Sequence, residues 1–309
     1  MMNEYKVAVL IPCYNESVTI KKVVEDYREA FPKADIYVYD NNSTDGTDKI
    51  AKEAGAIVRY EYKQGKGNVV RSMFKDIDAD CYIMTDGDDT YPPIPEMVNI
   101  IQNHEADMVI GDRLSGTYFQ ENTREFHNFG NVLVRWLINR LFHVNIHDIM
   151  TGSRAFNYEF VKTFPVLSEG FELETEMTIH AVSHHLRIKE IPVQYRDRPE
   201  GSESKLNTIS DGTKVLKTIF SLLKEEKPMT FFSVLALIFF ILTLVFAVPV
   251  FHEYFQTGLV PRIPTLIFSG FLLVISLLLF IAGMILDNIK KKELQQFELL
   301  WIRTKNERS

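Results

Sequence analysis

The chain is poor in cysteine and carries no excess of positive charge. Its two cysteines, Cys13 and Cys81, each lie in an apolar, strand-like run. Two cysteines argue against a disulfide framework and favour a reducing compartment. The net charge of −7 argues against nucleic acid as a partner. Residues 1–6 hold no apolar signal core, so no cleaved export peptide is expected.

Charge is absent from two long apolar runs, Phe231–Phe251 and Ile263–Leu286. As a helix, each run reaches about 30 Å, which is enough to cross a bilayer. A buried hairpin inside a soluble core is the alternative, but charge-free runs of this length are rare in soluble domains. The runs therefore predict transmembrane helices over 230–251 and 263–286, joined by a loop at 252–262.

Basic residues flank the two runs unevenly. Lysines precede the first run and follow the second, at Lys214, Lys217, Lys224, Lys227, Lys290, Lys291 and Lys292. The loop at 252–262 holds one arginine and no lysine. The positive-inside rule therefore predicts a cell-membrane protein whose N-terminal part and tail, 287–309, are cytoplasmic, with the loop outside.

The part before the runs, residues 1–205, alternates short apolar strands with helices. The predicted strands are Val7–Ile11, Ile36–Tyr39, Ala56–Tyr60, Cys81–Thr85 and Met108–Gly111. Ser17 is expected to cap the first helix. This alternation predicts a doubly wound, mostly parallel α/β sheet. Ligands bind beyond the carboxyl ends of such strands, where Asn15, Asp40 and Asp86 fall.

Residues 206–229 link this part to the first apolar run. Apolar residues at helical spacing form a stripe there: Val215, Leu216, Ile219, Leu222 and Leu223. Lysines lie among them, which predicts an amphipathic helix in the membrane interface. A core helix is the alternative, and the adjacent apolar run favours the interfacial one.

The segment Thr85–Thr90, with the sequence TDGDDT, is the strongest chemical signal. It ends an apolar strand, and Pro92 and Pro93 follow closely and prevent the strand from continuing. Carboxylates clustered at a strand end repel one another unless a cation joins them. A hard divalent ion with oxygen ligands would do so and would hold a diphosphate. A solvated acidic turn is the alternative.

Three further polar segments lie at predicted strand ends or before a helix: 11–16, 40–47 and 64–68. A strand-end carboxylate such as Asp40 can accept hydrogen bonds from a ribose or a base. Lys66, between two glycines before a helix, suits a phosphate or a base edge. Taken singly, the first two segments are better explained as polar turns.

Together, these four segments resemble family-two glycosyltransferases with the GT-A fold. Segment 147–156 (HDIMTGSRAF) resembles the family's Asp-x-x-Ser/Thr-Gly-x-Arg motif, and 170–176 resembles its acidic helix start. Segment 196–206 is similar to the Arg…Gly-x-Ser-Lys-Leu element of polyprenyl-phosphate sugar synthases. The resemblance covers nearly the whole chain. It implies a GT-A fold and inverting transfer of a sugar from a nucleotide-diphosphate donor to a polyprenyl phosphate.

The resemblance also implies roles for individual residues. The donor nucleotide would contact Pro12, Tyr14, Asn15, Glu16, Asp40, Asn42, Ser43, Lys66 and Asp86. The acceptor phosphate would contact Arg154, Arg196, Arg198, Ser204 and Lys205. Mg²⁺ or Mn²⁺ would be held by Asp86, Asp88 and Thr90. The catalytic residues would be Asp88 and Asp148.

Two of these roles stay open in the sequence. Asp148 is either a base or a positioning group, with Glu174 and Glu176 as weaker candidates for the base. A phosphate monoester is largely dianionic at neutral pH, so its attack needs no strong base. Asp89 is an extra acid beside the metal motif, and Thr90 is either a weak ligand or a support for Asp88.

Two alternatives remain beside this hypothesis. One is a processive or hydroxyl-directed family-two transferase, although the Gln-x-x-Arg-Trp segment of processive members is absent from the sequence. The other is a non-catalytic membrane scaffold that binds nucleotide sugars. The favoured substrates are UDP-GlcNAc or UDP-glucose and undecaprenyl phosphate on the cytoplasmic leaflet, and a homo-oligomer is expected.

Overall fold

The computed structural model describes residues 5–115, 125–170, 172–196, 199, 221 and 224–308, and only the backbone of 125–131. Predicted site residues Arg198, Ser204 and Lys205 lie outside the described residues, as does most of the predicted interfacial helix. The chain divides into two compact units. The first contains Met1–Asp211 and Leu299–Ser309, and the second contains Gly212–Glu298.

The first unit is built on a seven-stranded sheet. Its strands are β1 (Val7–Cys13), β2 (Asp35–Asp40), β3 (Ile57–Tyr60), β4 (Cys81–Met84), β5 (Met108–Asp112), β6 (Arg154–Asn157) and β7 (Ile188–Pro192). Their order is β3-β2-β1-β4-β6-β5-β7. All neighbours are parallel except β6, which is antiparallel to β4 and β5. The predicted mostly parallel sheet is confirmed.

In the described part of the first unit, seven helices connect or flank the strands. They are α1 (Ile20–Ala30), α2 (Thr47–Glu53), α3 (Lys66–Asp76), α4 (Pro95–Gln102), α5 (Glu125–Phe142), α6 (Tyr158–Thr163) and α7 (Leu173–Ser183). The predicted Ser17 cap is wrong, because Thr19 is the N-cap residue of α1. Ser17 lies before it and donates its backbone N–H to Asp45 Oδ2 at 3.0 Å.

The core explains why these segments adopt these structures. β1 and β4 lie in the middle of the sheet, and their runs VAVLIPC and CYIM are apolar almost throughout, as expected of strands covered on both faces. α1 presents Ile20, Val23, Val24 and Tyr27 to this core, which is the spacing of one helical face. Strands β1, β2 and β4 are therefore held rigidly, and so are the turns that follow them.

The second unit is an apolar helical hairpin. It contains α8 (Pro228–Thr257) and α9 (Ile263–Asn306) as far as Glu298. Both helices are long and apolar enough to cross a membrane. The Ser276 hydroxyl donates to the Ala236 carbonyl at 2.8 Å, across the contact between them. α9 continues beyond the predicted span at Leu286, so most of the predicted tail is helical.

Candidate active site

Three strand ends meet at one rim of the sheet. β2, β1 and β4 are neighbours in parallel register, with Cys13 opposite Asp40 and Leu10 opposite Met84. Asp40 ends β2, and Asn15 and Asp86 follow β1 and β4 closely. All three therefore lie on the same edge, as the alternation of strands and helices predicted. This is the edge where α/β sheets bind ligands.

Side chains join the turns after β1 and β2 into one surface. Asn15 donates its N–H to Ser43 Oγ at 2.9 Å and accepts the N–H of Thr44 on its Oδ1 at 2.9 Å. The Glu16 N–H donates to Thr47 Oγ1 at 2.8 Å. Asn15 has φ of +53°, a left-handed conformation that asparagine tolerates better than most residues. These hydrogen bonds therefore tie the two turns together.

The remaining predicted donor-binding residues lie on or beside this surface. Pro12 is within β1, opposite Tyr39 of β2, and Tyr14 is exposed at the rim. Asn42 donates through Nδ2 to the carbonyl of Tyr62 at 2.9 Å. Asn42 thereby ties the turn after β2 to the segment after β3.

Asp40 has a buried oxygen that faces no hydrogen-bond donor among the described residues. Its Oδ2 accepts the N–H of Ser43 at 3.0 Å, whereas Oδ1 is buried without a partner. Leaving such an atom unsatisfied costs about 1–3 kcal/mol. A donor group on a ligand would satisfy it, which is the role expected of a residue that recognises a nucleoside.

Lys66 joins the rim to helix α7. Its Nζ lies 2.6 Å from Asp86 Oδ1 and 2.5 Å from Glu174 Oε1, and all three side chains are largely shielded from solvent. Burial works to lower the pKa of Lys66, but the two carboxylates outweigh it and raise that pKa above its usual range. Lys66 is therefore a fixed positive charge in the site.

Glycines allow the chain to approach these charged groups closely. A Cβ on Gly152 would overlap the Asp86 carboxylate, and one on Gly67 would overlap the backbone carbonyl of Ser168. The segment before β6 and the loop before α7 can therefore pack directly against Asp86 and the start of α3. This close packing explains the glycines of the 147–156 and 64–68 segments.

The carboxylates at the end of β4 are suitable ligands for a hard divalent cation. Asp86 and Asp88 offer carboxylate oxygens, which Mg²⁺ and Mn²⁺ prefer. Lys66 compensates only part of the charge of Asp86 and Glu174, and Asp88 adds one more negative charge. The Thr90 hydroxyl donates to Asp88 Oδ1 at 2.6 Å, which favours Thr90 as a support for Asp88. That the metal binds here stays a prediction.

Asp148 is buried and held by Arg113, an arginine outside the predicted site. Arg113 Nε lies 2.8 Å from Asp148 Oδ2, and Arg113 Nη1 donates to Tyr91 OH at 3.2 Å. Arg113 also contacts Asp148 Oδ1, through Nη2 at 3.4 Å. Both carboxylate oxygens are therefore engaged, and the geometry favours the positioning role. Arg113 directly follows β5, so the strand-end rule that found Asp40 could have found it.

The weaker candidates for a catalytic base are also held by other groups. Glu174 is paired with Lys66. Glu176 accepts the N–H groups of Leu167 and Ser168 at 2.9 and 3.0 Å, so it shapes the loop before α7. The geometry gives neither residue the exposed carboxylate that a base would use.

The structure contradicts the predicted contact between Arg154 and the acceptor phosphate. Arg154 is 0% exposed. Its guanidinium donates to the carbonyls of Ile149 and Thr151 at 2.6 and 3.1 Å and to Thr178 Oγ1 at 3.0 Å. Burial lowers its pKa to about 10, against the opposing influence of Glu174. Arg154 therefore shapes the segment before β6 from inside the core.

A second group of possible metal ligands lies on β5, on β7 and in the segment before β6. Ligand atoms of Asp112, His147 and Glu190 fall within 4.8 Å of one another. His147 Nδ1 is 3.1 Å from Glu190 Oε2, and Glu190 Oε1 accepts the N–H groups of His147 and Asp148. Because Glu190 holds the backbone of Asp148, this group also positions the segment that Arg113 grips.

The sheet order and the acidic rim define a GT-A type α/β fold. A solved structure of glucosyl-3-phosphoglycerate synthase from Mycobacterium tuberculosis, in complex with Mn²⁺ and UDP-glucose, matches with a TM-score of 0.52 at 20% identity. The match covers 71% of this chain and 78% of that one. At this identity the likeness concerns the fold, and it confirms the predicted GT-A architecture.

Residues 8–164 match the sequence model described as Glycosyl transferase family 2, and the chain belongs to that family. Two similar proteins come from Haloferax volcanii. Glycosyltransferase AglJ is 34% identical, over 74% of this chain and 75% of its own length. A dolichyl-phosphate hexose transferase is 32% identical, over 73% of this chain and 99% of its own length. The predicted family is thereby confirmed, and the chain is a glycosyltransferase.

Proposed function

We propose that this enzyme transfers a sugar from a nucleotide-diphosphate donor to the phosphate of a polyprenyl phosphate. The donor half of the proposal rests on Asp40 Oδ1, which is buried and has no hydrogen-bond partner among the described residues. Asp40 lies on a rim that also carries Lys66, Asp86 and Asp88. The acceptor half is supported by the apolar hairpin of the same chain and by the relative named for dolichyl phosphate.

The donor would lie across the ends of β1, β2 and β4. Asp40 would accept a hydrogen bond from the nucleoside, and Lys66 would contribute positive charge beside the diphosphate. Asp86 and Asp88 would hold Mg²⁺ or Mn²⁺, which when bound supplies Lewis acidity to the leaving diphosphate. Thr90 would keep the Asp88 carboxylate in place.

The chemical step would be a single displacement. A phosphate oxygen of the acceptor forms a bond to the anomeric carbon, while the bond between that carbon and the donor phosphate breaks. The nucleoside diphosphate leaves with the bonding electrons, and the anomeric centre is inverted. Because the attacking phosphate is already anionic at neutral pH, Asp148 and Arg113 would orient groups and remove no proton.

The finer assignments belong to the same proposal. The donor would be UDP-GlcNAc or UDP-glucose, and the acceptor would be undecaprenyl phosphate in the cytoplasmic leaflet of the cell membrane. Lysines on the flanks of the apolar runs support that orientation. Arg196, Arg198, Ser204 and Lys205 would meet the acceptor phosphate, for which arginine is suited by its planar fork of donors. The enzyme would work as a homo-oligomer.

The test is a transfer assay with the purified full chain in detergent. Radiolabelled UDP-GlcNAc, UDP-glucose and GDP-mannose are each offered with undecaprenyl phosphate, with and without EDTA. We expect a lipid-linked product from one donor, lost with EDTA and restored by Mg²⁺ or Mn²⁺. D88A should retain its fold by circular dichroism and form no product.

Two outcomes would contradict the proposal. Transfer to sugar hydroxyl groups but never to undecaprenyl phosphate would favour the hydroxyl-directed alternative. Binding of a nucleotide sugar without transfer to any acceptor would favour the scaffold.

A further inference from the structure

The metal motif of this chain contains one more acid than the proposed metal site needs. Asp89 follows Asp88, and its backbone adopts a left-handed conformation with φ of +59°. Few side chains tolerate that conformation, although aspartate and asparagine are enriched there. The residue is buried, so its carboxylate needs compensating partners.

Two cations that are far apart in the sequence, Lys22 and Arg196, supply that compensation. Lys22 Nζ lies 2.8 Å from Asp89 Oδ1, and Arg196 Nη1 lies 3.2 Å from the same oxygen. Both cations also contact Asp26 Oδ2, at 2.8 and 3.1 Å. Two acids and two bases thus form a closed network, which we call the Asp89 network.

A main-chain hydrogen bond also connects Arg196 to the metal motif. The N–H of Arg196 donates to the carbonyl of Thr90 at 3.0 Å. The segment after β7 is therefore attached to the metal motif twice, once through its main chain and once through its guanidinium. A shift of Asp89 would move Arg196 relative to Asp88.

The exposures of the partners show which contact matters most. The side chain of Arg196 is 42% exposed and that of Asp26 is 30% exposed, whereas that of Asp89 is 11% exposed. Ion pairs between exposed groups contribute little because water and salt screen them. The shielded Asp89 carboxylate is therefore the stronger anchor for Arg196.

The network leaves part of the guanidinium available. Among the described residues, the side-chain contacts of Arg196 run through Nη1. An arginine has five N–H donors, so Nε and Nη2 can still meet a phosphate in the planar geometry that arginine favours. An arginine held by one nitrogen in this way is oriented before its ligand arrives.

We propose that Asp89 is a positioning residue for the acceptor phosphate and is not a ligand of the metal. It holds Arg196 in the orientation in which that residue receives the phosphate group of the lipid. This inference rests on the proposed function. It assigns the extra acid to the acceptor side of the reaction, although the sequence places it beside the metal ligands.

The experiment compares D89N, R196Q and the double variant with the unmodified full chain. Asparagine keeps the shape of aspartate and tolerates its left-handed backbone, so D89N removes mainly the charge. The control is E25Q on the same helix as Lys22, since Glu25 contacts Lys21 only distantly, at 3.9 Å. Each protein is assayed for the KM of undecaprenyl phosphate, the KM of the donor and the melting temperature. Mn²⁺ binding in the presence of UDP is measured by titration calorimetry.

We expect D89N to raise the KM of the acceptor by roughly five- to tenfold, as the loss of a charged hydrogen bond implies. The donor KM and the Mn²⁺ affinity should stay within about twofold of the unmodified values. The double variant should be no worse than R196Q, because two residues acting through one contact are not additive. R196K keeps the charge without the planar fork and should also raise the acceptor KM, and E25Q should change nothing.

Several results would overturn the inference. A weakened Mn²⁺ affinity in D89N would make Asp89 a metal ligand. Equal changes in both KM values, together with a lower melting temperature, would show that Asp89 contributes to folding and not to the position of Arg196. Additive effects of D89N and R196Q would show that the two residues act independently. A failure of the unmodified protein to use any polyprenyl phosphate would instead overturn the proposed function, and this inference with it.

Discussion

At the scale of single residues, the rim depends on glycines that leave room for close contacts as well as on its charged side chains. Gly152 lies against the Asp86 carboxylate, with no room for a Cβ between them. Arg113 and Glu190 together hold Asp148 and its backbone. These contacts join residues far apart in sequence, and they decide which carboxylates of the rim are free to meet a ligand.

G152A should therefore disturb the donor site. The added methyl group would push the Asp86 carboxylate away from Lys66, so we expect transfer activity to fall at least about tenfold and UDP affinity to fall with it. The measurements are the transfer rate and UDP binding by calorimetry. G170A is the control, because among the described residues a Cβ there would meet just the movable end of Glu172. Equal activity of the two variants would contradict the proposed placement of Asp86.

Both cysteines should be chemically silent in the folded protein. Cys13 and Cys81 are buried, and burial raises the pKa of the Cys81 thiol well above its usual range. The reactive thiolate is therefore scarce at pH 8. A thiol-reactive dye should label neither cysteine in the folded chain in detergent and both in denaturant. Rapid labelling of Cys81 without unfolding would show that the sheet opens near β4.

At the scale of secondary structure elements, the hairpin is held by small residues. Gly283 of α9 faces Phe232 of α8, and a Cβ on it would lie 2.9 Å from the Phe232 Cβ. Small residues let helix backbones approach closely, which permits the van der Waals packing that helps drive helix association inside a membrane. The Ser276 hydrogen bond lies on the same interface.

G283L should separate the two helices. The larger side chain cannot fit between α8 and α9, so we expect the melting temperature in detergent to fall by several degrees. G270L is the matched control, since a Cβ on Gly270 meets no described residue within 4 Å, and it should leave the melting temperature unchanged. A similar drop in both variants would mean that leucine harms the span for a reason other than helix contact.

At the scale of the whole molecule, the distribution of lysines predicts one orientation in the membrane. We expect L259C, between α8 and α9, to react with an impermeant maleimide added to intact cells. R303C, near the end of α9, should react only after the cells are opened. The buried native cysteines provide a silent background for both variants. Labelling of R303C in intact cells would reverse the proposed orientation.

Several elements of the fold were predictable because their signals are local. β1, β2 and β4 combine apolar runs with polar strand ends, so both the strands and the rim could be read from the sequence. β6 was not predicted because its four residues, RAFN, are too few to show an alternating apolar pattern. Its arginine would also suggest a segment exposed to solvent. β7, with the sequence IKEIP, has charged residues that hide its place beside β5.

The sequence alone determined the class of fold, the acidic rim and the two apolar runs, because hydrophobic periodicity and strand-end chemistry are local properties. The family followed from the resemblance of its motifs. Only the tertiary structure showed that Arg154 is buried, that Arg113 grips Asp148 and that Asp89 pairs with Lys22 and Arg196. These facts depend on which distant segments the sheet brings together. An ion pair between residues far apart in the chain leaves no mark on the pattern of either segment.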